Sequence, residues 1–474
     1  MIRMGTEKEN ATLKSRSQVE RPAAQPMFSI RSLFPIISAL ALLWLFFGVF
    51  PYQSIFPSAP PANAAAALET CAWQALEQHV SLLDVPPIKR ADFITRQGVL
   101  ASALRAEGVD AFIAEPSASS EYYANISAQF HFSERPFAMI LDNEGRFSYL
   151  VPQFETGRLN AESQHMVFDG DADAAAIPWA EEKDPYAVLL ESGRLGSGKI
   201  KIMIDEHARH MIAAGLEAVG VDVVPMSLDV KQLRAVKTDS EIAILRGINS
   251  FTRQLVRALQ GCIHVGLKQE DLVAAGQALY TRAGVGEGYW AIALFGSQAA
   301  FPHGGKSGAI LQDGEFVLID IGSSLHGYKA DVTRTILPSG VTVSDELMGI
   351  WQTVRLSQAA GFEKMYPNET CRDADAASRV PVAELGYAPY YTHRLGHGLG
   401  LEGHEHPYLN GANHEKLKAG VVVTNEPGIY VTNEQATQIG KNKGFGVRLE
   451  DPILVTEKGG VPLTGRRANS PWDL

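Results

Sequence analysis

The sequence predicts an α+β protein. An α/β domain over residues 69–230 precedes a larger domain over 237–465, where a curved antiparallel sheet is backed by helices. Two observations lead there. Helical and strand-like patterns alternate from about 89 to 225. Beyond 237, amphipathic helices open a region in which short β-like runs dominate. A length of 474 residues suits two domains.

The elements follow in order. Arg90 to Arg105 spaces its apolar residues helically and leads into Val109-Asp110-Ala111-Phe112-Ile113, a short strand. Phe137 to Leu141 and Phe147 to Val151 flank Asp142-Asn143-Glu144-Gly145, a hairpin-like turn. Leu228 to Lys237 forms the boundary. Thr238-Asp239-Ser240-Glu241 is a capping box that opens a helix, with Ile242, Leu245, Ile248, Leu255 and Leu259 as its buried stripe. Further helices are expected near Lys268 to Arg282 and Asp345 to Met365.

The amino terminus differs. Residues 1–32 carry Arg3, Lys8, Lys14, Arg16, Arg21 and Arg31 against Glu7, Glu9 and Glu20, and Leu33 to Phe50 is apolar and uncharged. The pattern predicts a basic cytosolic tail (1–32), a transmembrane signal anchor (33–50) and a linker (51–68). The rest of the chain would then lie in the lumen or outside the cell. Ala62-Asn63-Ala64 resembles a processing site, so secretion after signal cleavage is the alternative. A net charge of −11 leaves no basic footprint for nucleic acid. Cys71, Cys262 and Cys371 form no metal pattern; they allow one bridge, with the pair left open.

Chemistry concentrates in Val317-Leu318-Ile319-Asp320-Ile321-Gly322 and Gly327-Tyr328-Lys329-Ala330-Asp331-Val332-Thr333-Arg334-Thr335. With a turn at Leu325-His326, Asp320 and Asp331 become direct cross-strand partners, their Cβ atoms about 5 Å apart. Two carboxylates that close are tolerated if they share a proton or hold a cation. The rest of a metal site is supplied by His397 in His393-Arg394-Leu395-Gly396-His397-Gly398, Glu426 in Thr424-Asn425-Glu426-Pro427-Gly428, and Glu450 in Arg448-Leu449-Glu450-Asp451. Glycines at 396, 398 and 400 exclude a helical two-histidine zinc motif from His393 to His397. Four carboxylates and one imidazole form a hard donor set that suits two divalent cations, Mn²⁺ first and Co²⁺ or Zn²⁺ as alternatives.

In these five motifs, in this order, the chain resembles the Xaa-Pro peptidases of the pita-bread metallopeptidases (peptidase family M24), aminopeptidase P and prolidase, from about Lys89 to Pro462. The resemblance implies a pita-bread catalytic domain behind a creatinase-type amino-terminal domain. It implies that Asp331 and Glu450 bridge two metals, that Asp320 holds one, and that His397 and Glu426 hold the other. A water between the ions would be the nucleophile, with Glu426 able to take its proton. By the same resemblance His303, in Pro302-His303-Gly304, and His404, in Glu402-Gly403-His404-Glu405, act on the substrate as catalytic residues. His393 and Arg448 are substrate-binding or supporting candidates. The expected activity is hydrolysis of Xaa-Pro bonds in proline-containing peptides, by a homodimer. The alternatives are a methionine aminopeptidase-like protein, a non-peptidase C–N hydrolase, or a non-catalytic peptide-binding protein. Retention of all five ligands argues against the metal-free options.

Overall fold

The computed structural model describes residues 63–473, apart from 131, 163–164, 171 and 306–307. The expected anchor at 33–50 and the basic tail lie outside the described residues. Among those described, no helix is long and apolar enough to cross a membrane. The membrane-anchored placement read from the amino-terminal pattern is therefore corrected and is not carried further.

The first described element is a helix, Ala64–Leu76, capped by Asn63, whose side chain accepts from the amide of Ala65 at 3.1 Å. This shortens the expected linker, because the alanine run at 64–67 favours helix. Cys71 is disulfide-bonded to Cys262, just beyond the Asp239–Gln260 helix, and Cys371 is free and buried. Arg282 binds Glu69 at 2.7 Å and lies over the ring of Trp73. The Ala64–Leu76 helix is thereby fixed to the helices of the carboxy-terminal region.

A six-stranded mixed sheet follows. Its order is Ala176–Trp179, Phe147–Pro152, Ala138–Asp142, Ala111–Ala114, Lys201–Ile204, Asp222–Pro225. The expected hairpin is present, with Met139 opposite Tyr149. Alternate residues serve opposite faces: Ile113, Ile140 and Leu150 enter one core, Phe112, Met139 and Tyr149 another. A sheet covered on both faces reads as continuous apolar runs, as these strands do.

The capping box at Thr238 and Glu241 forms as expected, with the Thr238 amide donating to Oε2 of Glu241 at 2.9 Å. Of the predicted stripe, Leu245, Ile248, Leu255 and Leu259 are fully buried and Ile242 partly so. The helices Gln269–Arg282 and Asp345–Phe362 also match expectation. The helix Cys371–Glu384 was not expected; Pro381, which argues against helix in sequence, falls in its last turn. These helices back antiparallel strands. One set is Trp290–Phe295, Val317–Gly322 and Val332–Ile336. The other has five strands, with Gly396–Gly398, Val422–Asn425 and Asp451–Thr456 at its centre. Gly428–Val431 pairs with Phe445–Arg448.

Candidate metal centre

The centre begins at the hairpin of Val317–Gly322 and Val332–Ile336. Its turn lies one residue later than the sequence suggests. Leu325 pairs with Tyr328, which leaves His326-Gly327 as the loop. Both loop residues have positive φ, 50° and 84°, as a two-residue hairpin turn matching strand twist requires. Gly327 adopts this without a Cβ penalty. The register changes accordingly: Asp320 lies opposite Thr333, so the expected direct pairing with Asp331 is corrected. Side chains alternate with period two, so a two-residue shift leaves both aspartates on one face.

His397 lies on the Gly396–Gly398 strand. A Cβ on residue 396 would stand 2.0 Å from the carbonyl oxygen of Thr424. Only glycine lets the neighbouring strand close on His397 here. Glu426 follows the strand Val422–Asn425, and Glu450 sits between Phe445–Arg448 and Asp451–Thr456.

These five side chains converge. Ligand atoms of Asp320, Asp331 and Glu450 all lie within 4.8 Å of one another, as do those of His397, Glu426 and Glu450. A third such group joins Asp331, His397 and His404. Asp331, His397 and Glu450 each belong to two groups. Nε2 of His397 is 3.1 Å from Glu426 Oε1 and 3.7 Å from Asp331 Oδ2. Asp320, Asp331, His397 and Glu450 are buried, and Glu426 is partly exposed.

Hydrogen bonds hold the carboxylates in place. Thr333 Oγ1 donates to Glu450 Oε2 at 2.6 Å and accepts from Arg448 Nε at 3.0 Å. Asn249 Oδ1 receives the amide of Asp331 at 3.0 Å. Arg448 also donates to Asp320 Oδ2 at 2.5 Å, to the Tyr430 hydroxyl at 3.0 Å and to the carbonyl of Pro302 at 3.1 Å.

The electrostatics leave a deficit of positive charge. Burial pushes the Asp331 carboxyl well up, and the charges of Asp320 and Glu426 add to it. Burial and the charges of Asp331, Glu426 and Asp320 do the same to Glu450. Burial also acts upward on Glu426, but the hydrogen bond and charge of His397, with His393 and Arg448, bring it down to about 2. Four carboxylates thus face one guanidinium, and Oδ1 of Asp320 is buried with no hydrogen-bond partner among the described residues. An oxygen-rich cluster short of positive charge, with an orphaned oxygen, fits hard divalent cations.

All the predicted site residues line one cavity of about 980 Å³: the five above with His303, His393, His404 and Arg448. The His404 ring is centred 3.9 Å from that of His397. Burial, then the charges of His397 and Arg394, lower its pKa to about 4, so it is neutral at pH 7. His303 is exposed to the cavity. Nδ1 of His393 is 2.7 Å from the Arg394 carbonyl and its Nε2 is 2.8 Å from the Tyr430 hydroxyl. Burial lowers the His393 pKa, which suits a neutral ring donating at Nδ1 and accepting at Nε2.

Several supporting residues were not legible in sequence. Tyr430, four residues past Glu426, joins His393 to Arg448. Lys237 binds Glu405 at 2.5 Å with both buried, and Arg234 pairs with Glu402, so the turn carrying His404 is held on two sides. Only its place in the Glu426 motif could have marked Tyr430; nothing local marks Lys237.

A mixed sheet followed by helix-backed antiparallel strands, with buried acids and a histidine converging at a cavity, defines a metallopeptidase-type site. The chain belongs to metallopeptidase family M24, whose profile matches residues 243–457. An uncharacterized peptidase of Schizosaccharomyces pombe is 37% identical over 415 residues, covering 83% of this chain and 87% of its own. The dipeptidase PepE of Mycobacterium ulcerans superposes with a TM-score of 0.69 at 27% identity, covering 80% of this chain and 98% of that one. An Xaa-Pro dipeptidase of Bacillus anthracis gives 0.62 at 26% identity, covering 80% and 98%.

Proposed function

We propose that this metallopeptidase binds two divalent cations, Mn²⁺ in the first place, and hydrolyses Xaa-Pro bonds in peptides. The observation that carries the metal reading is the cluster itself: four carboxylates against one guanidinium, with a buried orphan oxygen on Asp320. Asp331 and Glu450 would each serve both ions: each belongs to two ligand groups, as His397 does, and a carboxylate has two oxygens to offer. Asp320 would complete one site, and His397 with Glu426 the other. When bound, such ions would supply Lewis acidity to a water nucleophile and to the scissile carbonyl.

The chain's own groups do the rest. Glu426, held ionised beside His397, can take a proton from attacking water. His404 and His303 face the same cavity and are proposed to donate to the oxygen that gains charge and to the departing proline nitrogen. The Xaa-Pro choice is supported by what the Bacillus anthracis relative is said to cleave. A homodimer is proposed on the resemblance alone.

The test is a substrate panel on the full chain, with bound metal measured alongside. Xaa-Pro dipeptides should be cleaved with Mn²⁺ and not after chelation. Equal cleavage of proline-free dipeptides would remove the proline specificity and leave the metallopeptidase standing. Full activity in metal-stripped protein would remove the mechanism.

A further inference from the structure

The Asp239–Gln260 helix carries Ser250, Arg253, Arg257 and Gln260 at helical spacing, so the four share one face. The chain's last residues run along that face. Ser250 Oγ donates to the Leu463 carbonyl at 2.8 Å, and Gln260 Nε2 donates to that of Pro471 at 2.7 Å. Arg253 and Arg257 lie between these two ties. Gly465 sits beside the first of them: a Cβ there would stand 3.6 Å from Nη1 of Arg253. The helical turn Glu77–Leu83, which carries His79, packs against the same helix.

Arg253 is only 9% exposed, yet its guanidinium forms no hydrogen bond or ion pair among the described residues, and its Nε is buried without a partner. The acids nearby are already engaged. Asp451 holds Arg334 at 2.6 Å and also receives Thr464 and Gln358, and Asp473 holds Arg466. The charge around Arg253 is instead mostly positive. Burial pushes its pKa down, and the charges of Arg334, Arg257 and Arg466 push the same way, with Asp451 acting against them. Burial and the charges of Arg257 and Arg253 also lower His79, so its ring is neutral at pH 7. A buried guanidinium without a counter-charge is costly, and like charges gathered around it add to the cost. An anion among them removes both.

The groups present select the anion. Two guanidinium groups one helical turn apart offer forks of N–H donors that match the oxygens of a phosphate. A neutral imidazole adds a donor without further charge. More than one positive charge favours a dianion over a carboxylate or a halide. We infer that Arg253 and Arg257, with His79, bind a phosphate dianion where the Asp239–Gln260 helix, the Glu77–Leu83 turn and the chain's last residues meet. None of these residues lines the cavity of the metal centre, so this is a second site, and it does not depend on the peptidase reading. Gly465 forms its edge, where a side chain would cover Nη1 of Arg253. The bound anion would tie together three segments far apart in sequence.

The experiment titrates the full chain with inorganic phosphate by calorimetry, with acetate and chloride as comparison arms at equal ionic strength. It is run with Mn²⁺ and after metal removal. Wild type should bind phosphate in both states and prefer it to either comparison anion. Arg253→Met keeps the packing of the stem and removes the charge. It should weaken phosphate binding on the order of 30-fold or more, the size expected when one partner of a desolvated charge pair is lost. Arg257→Gln, at an exposed position, should weaken it by a smaller factor, about twofold to fivefold. The wild-type titration needs no variant, so a misfolded Arg253→Met cannot hide the answer. No phosphate binding by wild type, acetate bound as tightly as phosphate, or unchanged binding in Arg253→Met would overturn the inference. Binding seen only with Mn²⁺ would place the anion at the metal centre and overturn it as well.

Discussion

Arg448 donates to one carboxylate oxygen of Asp320 at 2.5 Å, while the other oxygen of Asp320 is buried and has no hydrogen-bond partner among the described residues. One half of Asp320 is anchored by the protein and the other is left for something positive. The same guanidinium fixes Thr333, and Thr333 fixes Glu450. Among the described residues Arg448 is thus the guanidinium hydrogen-bonded into the cluster of four acids, and its loss should expose the charge deficit directly.

Arg448→Gln should therefore destabilise the metal-free protein by about 3 kcal/mol, as expected when a buried pair loses one partner. Added Mn²⁺ should restore part of that, because bound cations offset the same charge. Urea unfolding with chelator and with Mn²⁺ reads both. Wild-type stability of the variant in chelator would show that the acids are already neutralised some other way.

Glu450→Ala and Asp331→Ala should lose metal and nearly all turnover, since each belongs to two ligand groups. Thr333→Val removes only the hydroxyl that orients Glu450 and should weaken metal binding by about 10- to 100-fold. Metal analysis beside kinetics ranks the three. A Thr333→Val protein with wild-type affinity would mean that Glu450 does not need orienting.

His404→Ala and His397→Ala should separate despite their adjacent rings. His397→Ala should lose metal. His404→Ala should keep it and turn over on the order of 100-fold more slowly, as when one donor to a developing oxyanion is removed. Loss of metal from His404→Ala would make it a ligand with Asp331 and His397, a geometry the structure also permits.

The Cys71–Cys262 bond joins positions 191 residues apart. Its reduction, or Cys262→Ser, should cost about 3 kcal/mol and lower Tm. Cys371, buried and unpaired, should not substitute for either partner. An unchanged Tm under reductant would indicate that the Ala64–Leu76 helix is held by its other contacts alone.

His207 and Glu402 lie 2.8 Å apart. The hydrogen bond to Glu402 raises the His207 pKa against the opposing effect of burial, with the charges of Glu402, Asp205 and Glu206 adding to the rise. A raised folded value means that the stabilisation is complete below the ordinary value of 6.5 and is lost as pH rises through the raised one. His207→Gln should therefore lower Tm at pH 5.5 and have less effect at pH 8.5. The effect should be modest, because His207 is half exposed. A larger loss at pH 8.5 than at 5.5 would reverse the sign and refute the assignment.

Sequence alone marked the residues that the fold brings to one cavity. Asp320, Asp331, His397, Glu426 and Glu450 stand in β-like runs with short-range signatures, and their order carries the family resemblance. The capping box at Thr238 and the hairpin flanking Asp142 were equally legible, because caps and turns depend on neighbours in the chain. Tertiary structure decided how these pieces meet. A one-residue difference in turn position put Thr333, not Asp331, opposite Asp320, since the positive φ at both His326 and Gly327 selects that loop. Which two cysteines bond and that Lys237 answers Glu405 both depend on residues far apart in sequence. Their partners are chosen by the packing of the whole chain, and no local pattern of charge or hydropathy contains that choice.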